Sequence, residues 1–143
     1  MATEVRSTLL SSSQDSLKRL GQFDRYLALC DAQHRPALTE LVAGSWCPIA
    51  VGVAHYTACE ALGLGESDLL RIGQDVEERL RKSILLNFAR GVGITPMVVL
   101  GQSPKFWSVT FVGSEVRLER LRPKDARLTI AGFPFARYTY IRV

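Results

Sequence analysis

Apolar residues change their spacing along the chain near residues 91–93. Before that point they recur at steps of three and four, the period of a helix with one buried face. From Glu115 onward they alternate with polar residues, as in strands that bury one face. The pattern predicts an α+β fold in which a layer of about four N-terminal helices packs on a C-terminal three-stranded antiparallel sheet.

The apolar spacing before residue 91 predicts four helices. Each begins at a residue that favours a helix start, and these residues are Ser13, Pro36, Pro48 and Ser67. The first helix is expected to run to about residue 32. The third is rich in Ala and Gly, so it is expected to be central and largely buried. Helical turns are also predicted after Thr95 and Ser103. Residues 106–112 fit two structures, because Trp107 and Phe111 are four apart as in a helix while residues 109–112 favour a strand. The helix is preferred and is expected to end at Gly113.

Three antiparallel strands are predicted after residue 114. The apolar faces of paired strands must coincide, so Leu118 is expected opposite Leu128. That register also places Glu119 opposite Arg127, a favourable cross-strand pair of charges. The alternation over 136–143 predicts the third strand.

The chain is expected to form a single folded domain over residues 13–143. Within it, residues 13–112 are predicted to be helical and residues 115–143 to form strands. Residues 1–12 are rich in Ser and Thr and are expected to be a flexible N-terminal segment.

Composition narrows the protein class. With 143 residues, 47% of them apolar, the chain is long enough to bury a core of its own. Its longest apolar run, residues 47–54, is too short to cross a bilayer, so no membrane span is expected. Three cysteines, an odd number, argue against a disulfide framework and favour a cytoplasmic location.

Positive charge is concentrated in residues 103–143. This segment contains eight of the 18 Lys and Arg residues and three of the 14 Asp and Glu residues. A basic strand surface with tyrosines can follow phosphates and stack on bases. The candidate residues are Arg117, Arg122, Lys124, Arg127, Arg137 and Arg142. The solvent face of a half-buried sheet explains the same charges, and no nucleic-acid-binding motif is present, so a nucleic-acid partner is an alternative and not the main expectation.

His55 and Cys59 lie one helical turn apart in the third helix. A zinc site needs three or four suitably spaced ligands, and the chain has no CxxC pair, so neither a metal nor a cofactor is expected. A small enzyme with a Cys/His site is a further alternative. This pair lacks an evident residue to orient the imidazole, so no catalytic residue is assigned.

A set of structural residues resembles a pattern found in small uncharacterised bacterial proteins that are numerous in myxobacteria. It covers roughly residues 41–143 and consists of Trp46-Cys47-Pro48-Ile49, Tyr56, Ala58, Leu62-Gly63-Leu64, Ile72-Gly73, Thr95-Pro96, Trp107, Gly113 and Gly132-Phe133-Pro134. That pattern is similar to the vinyl-reductase-like superfamily, whose layout is like that of TRAPP subunits and haem–nitric-oxide-binding domains. The resemblance implies helices on an antiparallel sheet, an apolar ligand cavity and dimerisation. It carries no catalytic signature, and His55 does not correspond to a haem ligand.

The function expected from these observations is that of a non-enzymatic binding or regulatory module. It would hold a small apolar ligand or a protein partner, as a homodimer. The pocket is expected where the third and fourth helices meet the sheet, lined by Trp46, Tyr56, Cys59, Phe106, Trp107 and Phe133.

Overall fold

The computed structural model describes residues 1–75 and 96–142, and it has an α+β fold, as predicted. The helices are α1 (Ser7–Arg19), α2 (Phe23–Leu29), α3 (Arg35–Thr39), α4 (Ile49–Ala61), α5 (66–75), α6 (Pro96–Gly101), α7 (Ser103–Thr110) and α8 (Thr139–Arg142). The strands are β1 (Glu4–Arg6), β2 (Trp46–Pro48), β3 (Phe111–Val112), β4 (Glu115–Arg122) and β5 (Asp125–Ala131), and a 3-10 turn spans Pro134–Arg137. The second half of the predicted fourth helix and the change in pattern at 91–93 lie outside the described residues.

A three-stranded sheet is built around the first strand of the chain. β1 pairs antiparallel with both β2 and β3, and Val5 lies opposite Cys47 on one side and Phe111 on the other. Val5 and Leu10 are fully buried. The prediction that residues 1–12 form a flexible segment is therefore wrong. Its Ser-rich composition suggested disorder, but Ser7 is fully buried and its hydroxyl donates to the Val42 carbonyl at 2.7 Å.

Two glycines near the end of the chain make room for the N-terminal residues. The backbone N–H of Ala2 donates to the carbonyl of Gly132 at 2.8 Å, and Thr3 donates to Val112 at 2.7 Å. Gly113 and Gly132 have φ angles of 78° and 70°, a region that favours glycine. A Cβ at either position would lie within 3 Å of the Met1 backbone. The first residues are thus packed against the segments that flank the β4–β5 hairpin.

The helical layer differs from the prediction in its first elements. The predicted first helix is two helices, α1 and α2, because the chain turns at Gly21, which has a φ of 67°. α1 also begins six residues earlier than Ser13. α4 follows Pro48 as predicted, and its side chains Val51, Tyr56 and Cys59 belong to the buried core. Its central, buried position is confirmed.

The hairpin β4–β5 has the predicted register. Leu118 lies opposite Leu128, and the Arg127 guanidinium is 3.6 Å from the Glu119 carboxylate. The hairpin is a separate two-stranded sheet, however, and not part of a three-stranded C-terminal one. Leu128 and Ile130 are 42% and 39% exposed, so the helices do not fully cover the apolar face of the hairpin.

The prediction of a third strand over 136–143 is wrong for residues 136–142, and residue 143 lies outside the described residues. The chain forms the 3-10 turn and α8 there, because Tyr138 and Tyr140 pack against α4 and donate or accept hydrogen bonds within the helical layer. The region after Ser103 contains both a helix and a strand, since α7 ends at Thr110 and β3 follows it directly. Within residues 1–75 and 96–142, none of the helices has the length and apolar character needed to cross a bilayer.

Candidate functional site

A fully buried histidine joins three helices through hydrogen bonds. His55 of α4 is 0% exposed. Its Nδ1 is 2.8 Å from the hydroxyl of Tyr26 on α2, and its Nε2 is 3.0 Å from the hydroxyl of Ser13 on α1. Both ring nitrogens therefore have partners, as a buried imidazole requires.

The network continues in both directions from His55. Gln14 donates one amide proton to the Tyr26 oxygen at 3.3 Å and the other to the Leu38 carbonyl at 2.9 Å. The Tyr26 hydroxyl proton is then available for Nδ1, which assigns the His55 proton to Nε2. Nε2–H donates to Ser13, whose own proton is left for the Tyr140 hydroxyl at 2.7 Å. The result is a directed chain of hydrogen bonds from α1 to α8.

Every titratable group in this network is neutral near pH 7. Burial lowers the pKa of His55 to about 3. Desolvation raises the pKa values of the Cys59 thiol and of the Tyr26 and Tyr140 hydroxyls above their usual ranges. The Cys59 sulfur is 3.6 Å from His55 Nε2. Because both pKa shifts oppose ionisation, the pair does not form the thiolate and imidazolium that an activated nucleophile needs.

Cys59 is therefore expected to resist iodoacetamide in the folded protein at about pH 7, where only the thiolate reacts. All three cysteines are buried, so little labelling is expected until urea unfolds the chain, after which all three should react. Peptide mapping by mass spectrometry measures each site separately. Fast modification of Cys59 in the native protein at that pH would contradict this account and support the Cys/His enzyme alternative.

A cavity of about 150 Å³ lies beside the network, between α4, α5 and α8. The described residues that line it are Cys59, Glu60, Gly63, Leu64, Leu69, Thr139 and Tyr140. Gly63, with a φ of 60°, ends α4 as predicted and turns the chain toward α5. The backbone N–H of Tyr140 donates to the Glu60 carboxylate at 3.1 Å, which links α8 to α4. Cys59 and Tyr140 belong to both the cavity wall and the network.

Of the six residues predicted to line a pocket, Cys59 alone is among the described residues that line this cavity. Tyr56 packs beside the site, with its ring centroid 5.9 Å from that of Tyr140 and 4.7 Å from that of His55. Its side chain is part of the core between the site and Phe135.

The other four predicted pocket residues lie elsewhere. Trp107 and Phe133 pack on each other with ring centroids 4.9 Å apart, in an aromatic cluster at the base of the hairpin. Trp46 is on β2 beneath the Arg6 guanidinium, which lies 3.7 Å from the ring centroid. Phe106 is half-buried on α7. Tyr56, Trp107 and Phe133 belong to the hydrophobic core or pack against it.

Sequence reasoning missed most of the residues that build the site. Ser13 and Gln14 lie between Leu10 and Leu17 at the spacing of one helix face, and all four are buried. Two polar residues on an apolar face are a signal of a buried hydrogen-bond network. Tyr140 gave no such signal, because it was assigned to a strand.

The predicted basic surface is divided between two regions. Four of its six residues are on or at the turn of the hairpin: Arg117, Arg122, Lys124 and Arg127. Three of these four form exposed ion pairs with acidic residues of the same hairpin. Arg137 donates to the Tyr138 hydroxyl at 2.6 Å, and Arg142 is on α8. Tyr138 and Tyr140 pack in the helical layer, so they do not form an exposed platform for bases.

In the part of the chain that the structure describes, no three His, Cys, Asp or Glu side chains group as metal ligands. Comparisons of the chain with known proteins gave no match to a family model, to a curated protein or to a solved structure. The support for a function therefore comes from the geometry of the network and the cavity.

Proposed function

We propose that this protein is a non-enzymatic binding module whose cavity between α4, α5 and α8 holds one small, neutral, mostly apolar molecule. The observation that supports this is the cavity itself, which is lined by Leu64 and Leu69 and by Tyr140, a member of the buried network. Apolar side chains beside polar groups of fixed position are a combination found in small-molecule sites.

The size of the cavity limits the ligand class. A volume of about 150 Å³ accommodates a molecule about as large as benzene. A ligand of roughly seven non-hydrogen atoms that gains about 0.6 to 1 kcal/mol per atom, below the ceiling of about 1.5 kcal/mol, has a dissociation constant between about 10 μM and about 1 mM.

The charge state of the wall favours a neutral ligand. The thiol of Cys59 and the hydroxyl of Tyr140 stay protonated, since burial raises both pKa values. The Glu60 carboxylate accepts a hydrogen bond from the backbone of α8. The neutral Cys59–His55 pair also favours binding over nucleophilic catalysis, which needs an ionised or base-activated thiol.

Filling the cavity is expected to abolish binding. Phenol and toluene are suitable probes, because they match in size and differ in one hydroxyl group. Leu69→Phe adds bulk to the cavity wall, so saturable NMR shifts caused by either probe should disappear. The matched control is Leu70→Phe, the same change one residue later on α5 at an exposed position, which should bind both probes as the wild type does.

A second variant separates the polar contact from the volume. Tyr140→Phe removes a hydroxyl from the wall and should weaken phenol binding by roughly ten-fold while leaving toluene unchanged. Failure of both probes to give saturable shifts in the wild-type protein at about 10 mM, well above the expected dissociation constants, would overturn the proposal. Native mass spectrometry of protein purified from its own host is a separate measurement, which would identify the class of any natural ligand.

A further inference from the structure

The buried hydrogen-bond network beside the cavity has a direction, which is set at Gln14. The Leu38 carbonyl can only accept, so the Gln14 atom that faces it at 2.9 Å is the amide nitrogen. The same nitrogen lies 3.3 Å from the Tyr26 oxygen and donates its second proton there. The Tyr26 hydroxyl proton is therefore directed to Nδ1 of His55, 2.8 Å away.

The opposite direction would leave one buried proton without a good acceptor. Nδ1–H of His55 would then donate to Tyr26, and the Tyr26 proton would need an acceptor of its own. The Gln14 nitrogen is a donor, and among the described residues no hydrogen bond joins the Tyr26 hydroxyl to a further oxygen or nitrogen. The thiol of Cys30, a weak acceptor, lies beside it. Because a buried donor without a good acceptor is costly, the first direction is favoured.

The chain of hydrogen bonds ends at Tyr140 with one proton left over. Nε2–H of His55 donates to Ser13 at 3.0 Å, and Ser13 donates to the Tyr140 oxygen at 2.7 Å. The Tyr140 hydroxyl thus accepts from Ser13 and keeps its own proton for another acceptor. Among the described residues, the group beside it is the Cys59 thiol, whose sulfur is a weak acceptor. Tyr140 and Cys59 both line the cavity.

We infer that the Tyr140 hydroxyl donates a hydrogen bond into the cavity, and that the ligand is a small, neutral, mostly apolar molecule with an acceptor oxygen, such as a ketone. This ligand class rests on the binding function proposed for the same cavity. An oxygen takes the Tyr140 proton better than a thiol does, so a ketone gains a hydrogen bond that a hydrocarbon of the same shape lacks. A ligand that only donates would use the Glu60 carboxylate of the wall and not Tyr140.

Three small neutral probes test whether Tyr140 donates or accepts. Cyclohexanone only accepts a hydrogen bond, pyrrole donates one through its N–H, and methylenecyclohexane has the shape of cyclohexanone without the oxygen. Phenol cannot make this distinction, because its hydroxyl does both. Tyr140→Phe should raise the dissociation constant of cyclohexanone by roughly ten-fold and leave those of the other two unchanged, as measured by saturable NMR shifts.

The carbonyl stretch of bound cyclohexanone gives a second measurement, which a general change in the cavity wall would not imitate. A hydrogen bond to a carbonyl oxygen lowers its stretching frequency. Cyclohexanone labelled at the carbonyl carbon should therefore absorb at lower wavenumber in the wild type than in Tyr140→Phe or in hexane. The matched control is Tyr138→Phe, which removes the hydroxyl that bonds Thr57 from a residue that is not among the described cavity lining. This control should bind cyclohexanone as the wild type does.

The expected result is a loss of affinity for cyclohexanone alone, with a lowered carbonyl frequency in the wild type. Weaker binding of pyrrole in Tyr140→Phe would mean that Tyr140 accepts, and would overturn the assignment. Equal affinity of both proteins for cyclohexanone, or a wild-type carbonyl frequency equal to that in hexane, would overturn it as well. In each of these cases the cavity still binds small molecules. A wild-type protein that binds none of the probes would instead overturn the proposed function itself.

Discussion

Acidification from about pH 6.5 to about pH 3 is expected to remove several kcal/mol of unfolding free energy through His55. Its pKa is about 3 in the folded protein and about 6.5 when exposed, because burial disfavours the imidazolium. Between these values the unfolded chain binds more protons than the folded one, so stability rises with pH. The contribution is fully present above about pH 6.5 and falls by up to about 1.4 kcal/mol per pH unit below it.

Among the residues that the structure describes, no charged group lies next to His55 to stabilise its protonated form. The groups that face it are the hydroxyls of Tyr26 and Ser13, the Cys59 thiol and the ring of Tyr56. Burial raises the pKa values of Tyr26, Tyr56 and Cys59, so none of these side chains is an anion in this pH window. The loss should therefore be a large fraction of the free energy of unfolding of a typical domain, which is about 5 to 15 kcal/mol.

Urea unfolding at a series of pH values measures this slope. His55→Gln should flatten it, because the variant has no imidazole to titrate at this position. NMR of the folded wild-type imidazole provides a measurement that needs no variant, and it should show a neutral ring down to about pH 4. An imidazole that titrates near pH 6.5 in the folded protein would show that His55 does not cause the slope.

Adding one methyl group at Gly52 is expected to destabilise the protein by about 1 to 3 kcal/mol, as overpacking a core does. A Cβ there would lie 2.6 Å from Cζ of Phe135 and 3.0 Å from Cγ1 of Val5. Phe135 is fully buried and held between other rings, among them Tyr56 at a centroid distance of 4.7 Å. The clash should therefore exceed the roughly 1 kcal/mol that Ala gains over Gly in a helix.

Gly73→Ala is the matched control for Gly52→Ala. Gly73 is also helical, it is exposed, and no described atom lies within 4 Å of where its Cβ would be. The change should be neutral or should stabilise the protein by up to about 1 kcal/mol. Chemical denaturation of both variants and the wild type compares the two sites directly. A Gly52→Ala protein as stable as the wild type would mean that α4 does not approach Phe135 and Val5 this closely.

The hairpin could be predicted in detail because its signal is local. Alternation with period two fixes which face is apolar, and only one register then aligns Leu118 with Leu128. The N-terminal sheet could not be predicted in this way. β1 has three residues, too few to show a period, and its partners are about 40 and about 105 residues away in the chain.

The C-terminal residues show how tertiary contacts override a local pattern. Tyr138 and Tyr140 alternate as in a strand, yet each has a hydrogen-bond partner in the helical layer. The Tyr138 hydroxyl is 2.8 Å from the hydroxyl of Thr57, and that of Tyr140 is 2.7 Å from Ser13. Those partners cannot be inferred from residues 136–143 alone, so the prediction of a strand failed there and the cavity beside α8 was missed.

The position of β1 also has a consequence for synthesis on the ribosome. Both neighbours of β1 are made after it, and the second, β3, ends at Val112, more than 100 residues later. At translation rates of about 5 to 20 residues per second, the central strand waits on the order of ten seconds with at least one edge open. During that interval the nascent chain contains a segment, Glu4–Arg6, that cannot complete its pairing.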